Sequence, residues 1–555
     1  MAMEVDHLGG RVEYIVESPY MSSRVVRIGA TIALAALLTL ALLAVSGGPS
    51  RSETVTAAPI YRGAPQSLHL PDSVSAYTGF LPISMRHHCV PYTPTSPFAL
   101  QIAALHEIDS TSLLAERSRP LTQDETLALY RETYGDLLDA LRDSGAAWSR
   151  VRVAWWQIQQ SEPPAPYSWG WYDTKLQLVA ATGVDLIVTV AGPPDWAGID
   201  SCPPITPDRL DDFGQFLTDL VLRYSEPPYD VKIWEMSNEP DGVLPSYISG
   251  LDCWGDHGEA FAQMLARAYS AITDADPEAI VLMGGIAYDG FTEYEGIFNR
   301  YFVDDVMSAG GGAAVDAVTF HYFDDYFQEW ERWDPSSEDR QRGWLPAPTC
   351  GIVDDGIGAS YYAGGIDVIA KTNHLRNRLG TCFGVQRPIW ITELASHGYP
   401  GDVDSLTNQA RYVIQGHVRA LAAGVDNITW FALVSPPYDP HEQGLLYQDT
   451  REPKPAYYAY QTLTRELAAY SYHHTIGGVA GEAYVFRNVC LPDKTVAWGT
   501  GTLSFSAAST VSVTNRNGES SYIFDGQSGD LDGIHDGAIV VQLTTEPRFF
   551  VAHAE

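Results

Sequence analysis

The chain has 555 residues and a formal net charge of −35, and 45% of its residues are hydrophobic while 19% are charged. This length suits two or three domains, one of which could be a barrel of about 250 to 350 residues, and the composition is that of ordinary globular protein. The acidic balance argues against nucleic acid or an anionic membrane surface as a partner, because phosphates would be repelled.

An apolar segment near the N-terminus predicts export. Residues 28–45 read IGATIALAALLTLALLAV, follow Arg24 and Arg27, and precede a run of small residues. This is the layout of a signal peptide. Because the segment is about as long as the shortest membrane-spanning helix, an uncleaved signal anchor is the alternative. Both interpretations place the rest of the chain outside the cytoplasm, either secreted or anchored to the outer face of the cell membrane.

A long central region has the pattern of an α/β protein. From about Phe98 to Tyr470, short apolar runs alternate with amphipathic stretches, which is typical of βα units and a parallel sheet. Eight such units predict a (β/α)8 barrel, with any active site at the C-terminal ends of the strands. The predicted strands are residues 98–105, 149–155, 184–192, 231–237, 279–285, 317–322, 387–394 and 427–433.

The last part of the chain changes pattern. From about Thr475, short alternating runs such as KTVAWGT and STVSVTN are separated by Gly, Asn and Asp. This predicts a small antiparallel β-sandwich. The predicted organisation is therefore a cytoplasmic tail with a signal peptide or signal anchor (1–49), a linker rich in Ser, Thr and Pro with a possible strand of the β-domain (50–97), the barrel (98–470) and the sandwich (471–555).

The cysteines indicate disulfides rather than a metal site. None of the six lies in a Cys-x-x-Cys pair, and an even number at wide spacing favours structural disulfides in an oxidising compartment. Cys202 and Cys253 follow neighbouring predicted strands, so they are the first pair to test. The six are Cys89, Cys202, Cys253, Cys350, Cys382 and Cys490.

Two glutamates stand at the ends of predicted strands four and seven. Strand four runs into Asn238-Glu239-Pro240, and strand seven reaches Glu393. Cleavage of a glycosidic bond needs two carboxyl groups flanking the bond, one protonated to assist the leaving oxygen and one charged to attack the anomeric carbon. A separation of about 5 Å would give a covalent intermediate and retention of configuration.

These two motifs carry a family resemblance. The Asn-Glu-Pro on strand four and the Trp-x-Thr-Glu on strand seven resemble clan A of the glycoside hydrolases, in which the acid/base and the nucleophile end strands four and seven. The resemblance covers about Phe98 to Tyr470. The trailing β-domain resembles that of family 39, the β-xylosidase and iduronidase family, and family 5 and other clan A families stay open.

The resemblance implies roles for residues on strands two, four and seven. Glu239 matches the acid/base and Glu393 the nucleophile, while Asn238 matches the asparagine that binds the sugar 2-hydroxyl. Arg152 matches an arginine that orients the nucleophile. Arg150 is the alternative, because strand alternation points both side chains the same way.

Further matches lie on strands six and eight. His321 and Tyr322 match the histidine or tyrosine that hydrogen-bonds the nucleophile, and Trp430 matches the aromatic floor of the sugar subsite. A packed histidine and a barrel-filling tryptophan are the alternatives. Trp196, after strand three, is a possible stacking residue. Ser237 departs from the pattern, because many relatives have Trp before the Asn-Glu-Pro.

The predicted function is a retaining glycosidase that cleaves β-linked oligo- or polysaccharides. A transglycosylase would share every catalytic residue, and a non-catalytic sugar-binding protein at the cell surface would not need both glutamates. The sequence contains no nucleophile elbow, P-loop or His-Glu-x-x-His motif. It therefore implies no cofactor and no metal, and the predicted partner is the carbohydrate substrate, with a membrane contact only through an uncleaved N-terminal segment.

Overall fold

The computed structural model describes residues 96–102, 122–198, 204–244, 252–292, 296–323, 367–436 and 441–553. All of them belong to one compact unit, Met85–Glu555. Within this described part of the chain, no helix is both long and apolar enough to cross a membrane. The predicted signal or anchor segment 28–45 lies outside the described residues, as do Cys202 and most of the predicted linker.

Eight parallel strands form the first sheet, and each coincides with a predicted strand. They run in the order β5-β4-β3-β2-β1-β8-β7-β6. Isolated parallel bridges, Leu282 to Ala317 and Ile286 to Phe320, join the two edge strands. The sheet therefore closes on itself, and the predicted (β/α)8 barrel is confirmed. The strands are β1 (Phe98–Gln101), β2 (Trp148–Ala154), β3 (Asp185–Ala191), β4 (Ile233–Asn238), β5 (Ile280–Gly285), β6 (Val318–Phe323), β7 (Ile389–Ala395) and β8 (Ile428–Trp430).

Helices follow these strands and cover the barrel. The longer ones bury one apolar face against the sheet, as an amphipathic pattern predicts. The first begins with a capping box, in which Thr122 and Glu125 each bond the backbone N–H of the other. The helices are α1 (Gln123–Asp143), α2 (Trp155–Ile158), α3 (Gly170–Ala180), α4 (Leu210–Tyr224), α5 (Gly258–Ala275), α6 (Phe302–Ser308), α7 (Asp367–Phe383), α8 (Val403–Ala422) and α9 (Pro455–Leu467).

The barrel interior changes from apolar to polar along its axis. Small and branched apolar side chains fill the N-terminal end, among them Ala99, Ile187 and Ile233. Two residues further along β4, the interior holds the fully buried Glu235. A buried carboxylate is costly unless it is paired. The polar layer therefore marks the end of the barrel where chemistry is expected.

The antiparallel strands that follow form a sandwich, so the predicted β-domain is confirmed. One sheet has the order β14-β13-β16-β11-β10-β9, and the other pairs β12 with β15. The larger sheet packs one face on the smaller sheet and the other on the barrel. The strands are β9 (Ser471–Thr475), β10 (Gly481–Arg487), β11 (Lys494–Gly499), β12 (Thr502–Ser506), β13 (Thr510–Thr514), β14 (Ser520–Phe524), β15 (Ala538–Gln542) and β16 (Arg548–His553).

A buried ionic network joins the sandwich to the barrel. Arg419 on α8 bonds Asp367 at 2.6 Å and Glu482 on β10 at 2.6 and 2.9 Å. Its guanidinium also lies 5.5 Å from the centre of the Trp498 ring. Arg419 is 9% exposed at its side chain, so the charges depend on each other rather than on water.

We expect Arg419→Met to lower the free energy of unfolding by about 3 to 5 kcal/mol, because two carboxylates would be left buried without their partner. Urea denaturation of the whole chain measures this. Arg465→Met is the matched control, since Arg465 bonds Glu466 at the surface with its side chain 55% exposed, and such pairs contribute little. Equal effects of the two substitutions would show that the network does not hold the sandwich in place.

The described cysteines are disulfide-bonded, which agrees with the prediction of structural disulfides. Cys253, Cys382 and Cys490 each take part in a disulfide. Cys253 comes directly after Asp252, a residue of the site described next. The predicted pairing of Cys253 with Cys202 stays a prediction, because Cys202 is not among the described residues.

Candidate active site

A tight turn at the end of β4 presents Glu239. Ser237 and Glu239 adopt left-handed backbone conformations, with φ of 81° and 46°. Non-glycine residues rarely adopt such angles unless the surrounding structure enforces them, and they concentrate at functional sites. Here the Glu239 N–H donates to Gly285 at the end of β5 (2.9 Å), and the Asp252 N–H donates to Asn238 (3.0 Å).

A β-bulge at the end of β7 presents Glu393. The register of β7 against β6 jumps so that Phe320 pairs with Ile391 but His321 pairs with Glu393. The register against β8 shifts in the same segment. The extra residue breaks strict alternation, and bulges of this kind re-aim side chains next to active sites. The result is that Glu393 lies beside Arg150 in the barrel mouth, while Leu394 is buried in the core.

Glu239, His321 and Glu393 converge at the mouth of the barrel. One side-chain donor or acceptor atom of each lies within 4.8 Å of the others. His321 Nδ1 is 3.0 Å from Glu239 Oε1 and 3.5 Å from Glu393 Oε2. Because both neighbours are carboxyl groups, the tautomer with the proton on Nδ1 is favoured. The histidine thus contacts both glutamates. It was predicted to bond the nucleophile Glu393, but it lies closer to Glu239.

The arginine that contacts Glu393 is Arg150, not Arg152. Arg150 donates to Glu393 at 2.5 Å, to Glu235 at 2.7 Å and to Asn238 Oδ1 at 2.8 Å. Arg152 instead pairs with Asp252 at 3.1 Å. Of the two arginines that the sequence offered, the first choice was wrong. Because side chains alternate along a strand, Arg150 and Arg152 lie on the same face of β2. They differ only in their position along the barrel axis, which the sequence pattern does not give.

Glu235 is a part of the site that sequence reasoning missed. Its carboxylate accepts from Arg150 (2.7 Å), Thr189 (2.6 Å) and the Gly285 N–H (3.2 Å), and it is wholly buried. Burial alone would raise its pKa, but the Arg150 charge and the Thr189 hydrogen bond lower the pKa below its ordinary value. Glu235 therefore remains charged, and it binds Arg150 from the barrel interior. A charged residue within the apolar run IWEMS was the available signal.

The two converging glutamates have perturbed acidities. Burial raises the pKa of Glu239 to about 7, and the negative charge of Asp289 adds to the rise while nearby cations oppose it. Burial also raises the pKa of Glu393, against the lowering effect of the charge and hydrogen bond of Arg150. Burial lowers the pKa of His321 to about 4, so its ring is neutral near neutral pH. One carboxyl group is thus poised to hold a proton beside another that an arginine stabilises as an anion.

Asn238 lies between the two halves of the site. Its Oδ1 accepts from Arg150, and because a guanidinium only donates, the amide orientation is fixed and Nδ2 is the atom left to contact a ligand. Its backbone N–H and the Ser237 hydroxyl both donate to Asp252 Oδ2 at 2.8 Å. Ser237, the departure from the family pattern, is therefore a buried support of the turn rather than part of an open cleft wall.

Tyr322 does not reach the glutamates. It lies with Phe320 beside Lys371 of α7, whose Nζ is 5.7 and 5.6 Å from the two ring centres. Successive side chains of a strand point to opposite faces, so Tyr322 faces the helix layer while His321 faces the barrel mouth. The prediction that Tyr322 contacts the nucleophile is wrong, and His321 alone of that pair enters the site.

Trp430 is a core residue and does not form the floor of a cleft. It is fully buried, stacks on His417 of α8 at 6.0 Å and donates its indole N–H to the Gln443 carbonyl. The prediction that Trp430 forms the floor of the sugar subsite is wrong. The next residue along the strand, Phe431, points to the opposite face. Phe431 is half-buried and meets Phe323, at the end of β6, edge-on at 6.3 Å, so it is the aromatic residue at this strand end that a ligand could contact.

Two tryptophans lie after β2 and β3, at the same end of the barrel. Trp196 is half-buried, packs edge-on against Trp155 at 5.3 Å and has the Arg209 guanidinium 5.6 Å from its ring centre. Its predicted stacking role stays a prediction. Trp156, on the short helix α2 that follows β2, is 48% exposed. Its ring lies against Gly192 of the next loop, where an added Cβ would come within 2.9 Å of it.

The three converging side chains also have the donor types of a metal site. Arg150 argues against that use, because its guanidinium is 2.5 Å from Glu393 Oε1 and already balances that charge. A divalent cation bound between the glutamates would lie next to this arginine and be repelled by it. The arrangement is instead suited to proton donation from one carboxyl group and nucleophilic attack by the other.

Gly285 makes room for His321. A Cβ at this position would come within 2.2 Å of His321 Nε2 and 2.4 Å of the Thr392 hydroxyl. We therefore expect Gly285→Ala to displace the histidine and lower kcat by about 10²-fold, the cost of a misplaced active-site group. Gly380→Ala on α7, where nothing lies within 4 Å of the added atom, is the control. A folded Gly285→Ala enzyme with unchanged kcat would contradict this account of His321.

The sequence matches the model of a known enzyme family. The sequence model of the cellulase family (glycosyl hydrolase family 5) matches residues 117–429, more than half of the chain. The chain belongs to glycosyl hydrolase family 5. The matched range includes both glutamates, His321 and Arg150. This family 5 protein is therefore a glycosidase, and the resemblance to clan A is confirmed. No curated protein matches it significantly in sequence.

Solved structures agree on the fold of this family 5 chain. A family 39 glycoside hydrolase from the gut symbiont Bacteroides cellulosilyticus WH2 matches with a TM-score of 0.55 at 15% identity, over 82% of this chain and 81% of that one. A family 39 enzyme from Xanthomonas axonopodis pv. citri gives 0.51 at 13%, over 84% and 95%. A family 30 endoxylanase from Clostridium papyrosolvens C71 gives 0.50 at 12%, over 84% and 97%.

Proposed function

We propose that the protein is a retaining glycosidase that cleaves β-linked oligo- or polysaccharides, with Glu239 as acid/base and Glu393 as nucleophile. One observation carries the proposal: oxygen atoms of the two carboxyl groups lie within 4.8 Å of each other. Retaining enzymes hold their carboxyl groups about 5 to 5.5 Å apart, whereas inverting enzymes need about 6.5 to 9.5 Å to admit a water molecule.

The first step breaks the glycosidic bond. Glu239 donates its proton to the departing oxygen while Glu393 attacks the anomeric carbon, so that a covalent glycosyl ester forms and the aglycone leaves as an alcohol. In the second step Glu239, now a carboxylate, removes a proton from water, and the water oxygen displaces Glu393 from the anomeric carbon. A sugar hydroxyl in place of that water would give the transglycosylase alternative.

The neighbouring side chains fit these steps. Arg150 orients Glu393 and stabilises its charged form, and Glu235 fixes Arg150 in turn. His321 is neutral, so its Nδ1–H can bond the Glu239 carboxyl group without removing the proton that Glu239 must donate. Asn238 Nδ2 is placed to bond a sugar hydroxyl, a contact that strengthens in the transition state. We propose Asn238, Phe431 and Trp156 as substrate contacts.

The substrate is proposed to be a neutral β-glycan that the enzyme meets outside the cytoplasm. The cellulase family match supports a β-linked glycan, and the net charge of −35 disfavours an acidic polymer. The disulfide-bonded cysteines support an oxidising compartment, as does the apolar segment 28–45.

A screen of aryl β-glycosides and soluble β-glucans and xylans tests the proposal. The wild-type chain and Glu393→Gln are compared on each substrate, because this isosteric change removes the nucleophile and little else. Turnover of at least one substrate that disappears in the variant is expected. Turnover that survives unchanged in a folded Glu393→Gln enzyme would refute the assigned mechanism.

The pH profile should carry the signature of Glu239. Since its pKa is about 7 and the proton is needed for the first step, activity should fall as the pH rises through about 7. Glu239→Ala should abolish this basic limb. It should also lower turnover of poor leaving groups by about 10²- to 10⁴-fold, with far less effect on 2,4-dinitrophenyl glycosides. Equal losses on both leaving groups would count against Glu239 as the acid.

A further inference from the structure

A short segment of the chain runs alongside the turn that presents Glu239. Residues 252–255, which we call the clamp segment, lie beside residues 238–242. Three backbone hydrogen bonds of 2.9 to 3.0 Å join the two stretches, from the N–H groups of Asp252, Trp254 and Gly255 to the carbonyls of Asn238, Pro240 and Gly242. The proposed reaction makes no use of the clamp segment, so its pairing with the turn needs a separate explanation.

Asp252 also binds the turn through its side chain. Its Oδ2 accepts hydrogen bonds from the Ser237 hydroxyl and from the Asn238 N–H, both at 2.8 Å. Its Oδ1 accepts from Arg152 at 3.1 Å. Because Asp252 is only 1% exposed, water does not compete for these bonds. One buried carboxylate therefore holds both of the residues that directly precede Glu239.

The turn needs this support because of its backbone conformation. Ser237 and Glu239 have φ of 81° and 46°, and a non-glycine residue keeps such an angle only where the surrounding structure enforces it. The Glu239 N–H is bonded to Gly285, while the clamp segment bonds the carbonyls of the residues on either side of Glu239. The conformation that aims Glu239 thus depends on the clamp segment.

The clamp segment is itself anchored. Cys253, next to Asp252, is buried and disulfide-bonded. Trp254 is buried too, and it packs edge-on against Phe261 of α5 with the ring centres 5.3 Å apart. A covalent bond and a buried aromatic ring restrict the segment on two counts, so it provides a fixed support for the turn.

We propose that Asp252 is a positioning residue for the general acid. Through Ser237 and Asn238 it holds the turn that aims the Glu239 carboxyl group at the departing oxygen, so the inference rests on the proposed assignment of Glu239. A general acid acts only within hydrogen-bond reach of the atom that it protonates. A displacement of about 1 Å can therefore cost about 10²-fold in rate.

The test compares Asp252→Ala with the wild-type full chain on phenyl and 2,4-dinitrophenyl β-glycosides of one sugar. Phenol is a poor leaving group that depends on the acid, whereas 2,4-dinitrophenol leaves with little protonation. Asp252→Ala should lower kcat/KM for the phenyl glycoside by about 10²-fold and change that for the dinitrophenyl glycoside far less. Equal losses on the two substrates would overturn the inference.

Arg419→Met is the control for a general loss of stability. It weakens the fold at the junction of barrel and sandwich, away from the turn, and should leave the ratio of the two kcat/KM values unchanged. A ratio that shifts as much in Arg419→Met as in Asp252→Ala would overturn the inference, because the effect would then follow from stability alone.

The double variant of Asp252→Ala and Glu239→Ala separates failure of this inference from failure of the proposed function. If Asp252 acts through Glu239, most of its effect on the phenyl glycoside should disappear once Glu239 is replaced. An equally large effect in the Glu239→Ala background overturns the inference and leaves the proposed function intact. A Glu239→Ala enzyme that loses as much on the dinitrophenyl as on the phenyl glycoside overturns the assignment of Glu239, and the inference with it.

Ser237→Ala is the second variant, for use if Asp252→Ala does not fold. It removes one of the two donors to Asp252 Oδ2 and leaves the carboxylate in place. A smaller loss, mainly on the phenyl glycoside, is expected. An unchanged ratio of the two kcat/KM values in this variant would overturn the inference.

Discussion

Glu393→Gly is expected to lower kcat by about 10⁴-fold or more, in the range seen when an enzyme loses its nucleophile. Glycine leaves a space where the carboxylate stood, next to Arg150, which was 2.5 Å from it. A small anion such as azide can occupy that space and attack the anomeric carbon. Added azide should therefore restore turnover of an activated aryl β-glycoside and yield an α-glycosyl azide, with inverted configuration.

Glu239→Ala provides the matched control for that experiment. In this variant the nucleophile is intact, so an activated substrate still forms the glycosyl ester and azide takes the place of water in the second step. The product should be the β-glycosyl azide, with retained configuration. Azide products of the same configuration from both variants would show that the two glutamates do not have the opposite roles assigned to them.

Arg150→Met is expected to damage both activity and stability. Arg150 has a side chain only 3% exposed and binds Glu235, Glu393 and Asn238 at once. Its loss leaves two carboxylates buried without a cation, which should lower the free energy of unfolding by about 3 to 5 kcal/mol. We expect kcat to fall by about 10²- to 10³-fold, the cost of removing one preorganised donor.

Arg152→Met is the matched control for Arg150→Met. The two arginines are two residues apart on one face of β2, but the Arg152 side chain is 26% exposed and pairs with Asp252 rather than with Glu393. Its replacement should cost less in both measurements. Urea denaturation and steady-state kinetics on the same preparations decide the matter. A larger loss in Arg152→Met than in Arg150→Met would reinstate the sequence-based choice.

The barrel and the positions of its two glutamates could be predicted from sequence. Most of the strands are short, largely apolar runs buried on both faces, which is typical of parallel sheets. The positions of Glu239 and Glu393 followed from where those runs end, since barrel chemistry gathers at the C-terminal ends of strands. The orientation of the Glu393 side chain could not be predicted. It depends on a β-bulge, and the residue pattern Trp-Ile-Thr-Glu does not show that strict alternation is broken there.

The remaining errors share a physical cause. A shift of one residue on a strand moves a side chain to the opposite face. Tyr322 and Trp430 were each one position from the residues that lie at the strand ends beside the site, His321 and Phe431. Arg150 and Arg152 share a face of β2, so alternation could not show which of them contacts Glu393. Arg150 lies at the level of Glu235, to which it donates, and that position brings it to Glu393.

The anomeric configuration of the first-formed product tests the central claim most directly. Hydrolysis of an active aryl β-glycoside is followed by ¹H NMR from the first minutes, before mutarotation mixes the anomers. Two displacements at the anomeric carbon, through an ester on Glu393, predict that the β-anomer appears first. An α-anomer at the earliest time points would mean a single displacement by water, which would contradict a mechanism built on two carboxyl groups whose oxygens lie within 4.8 Å.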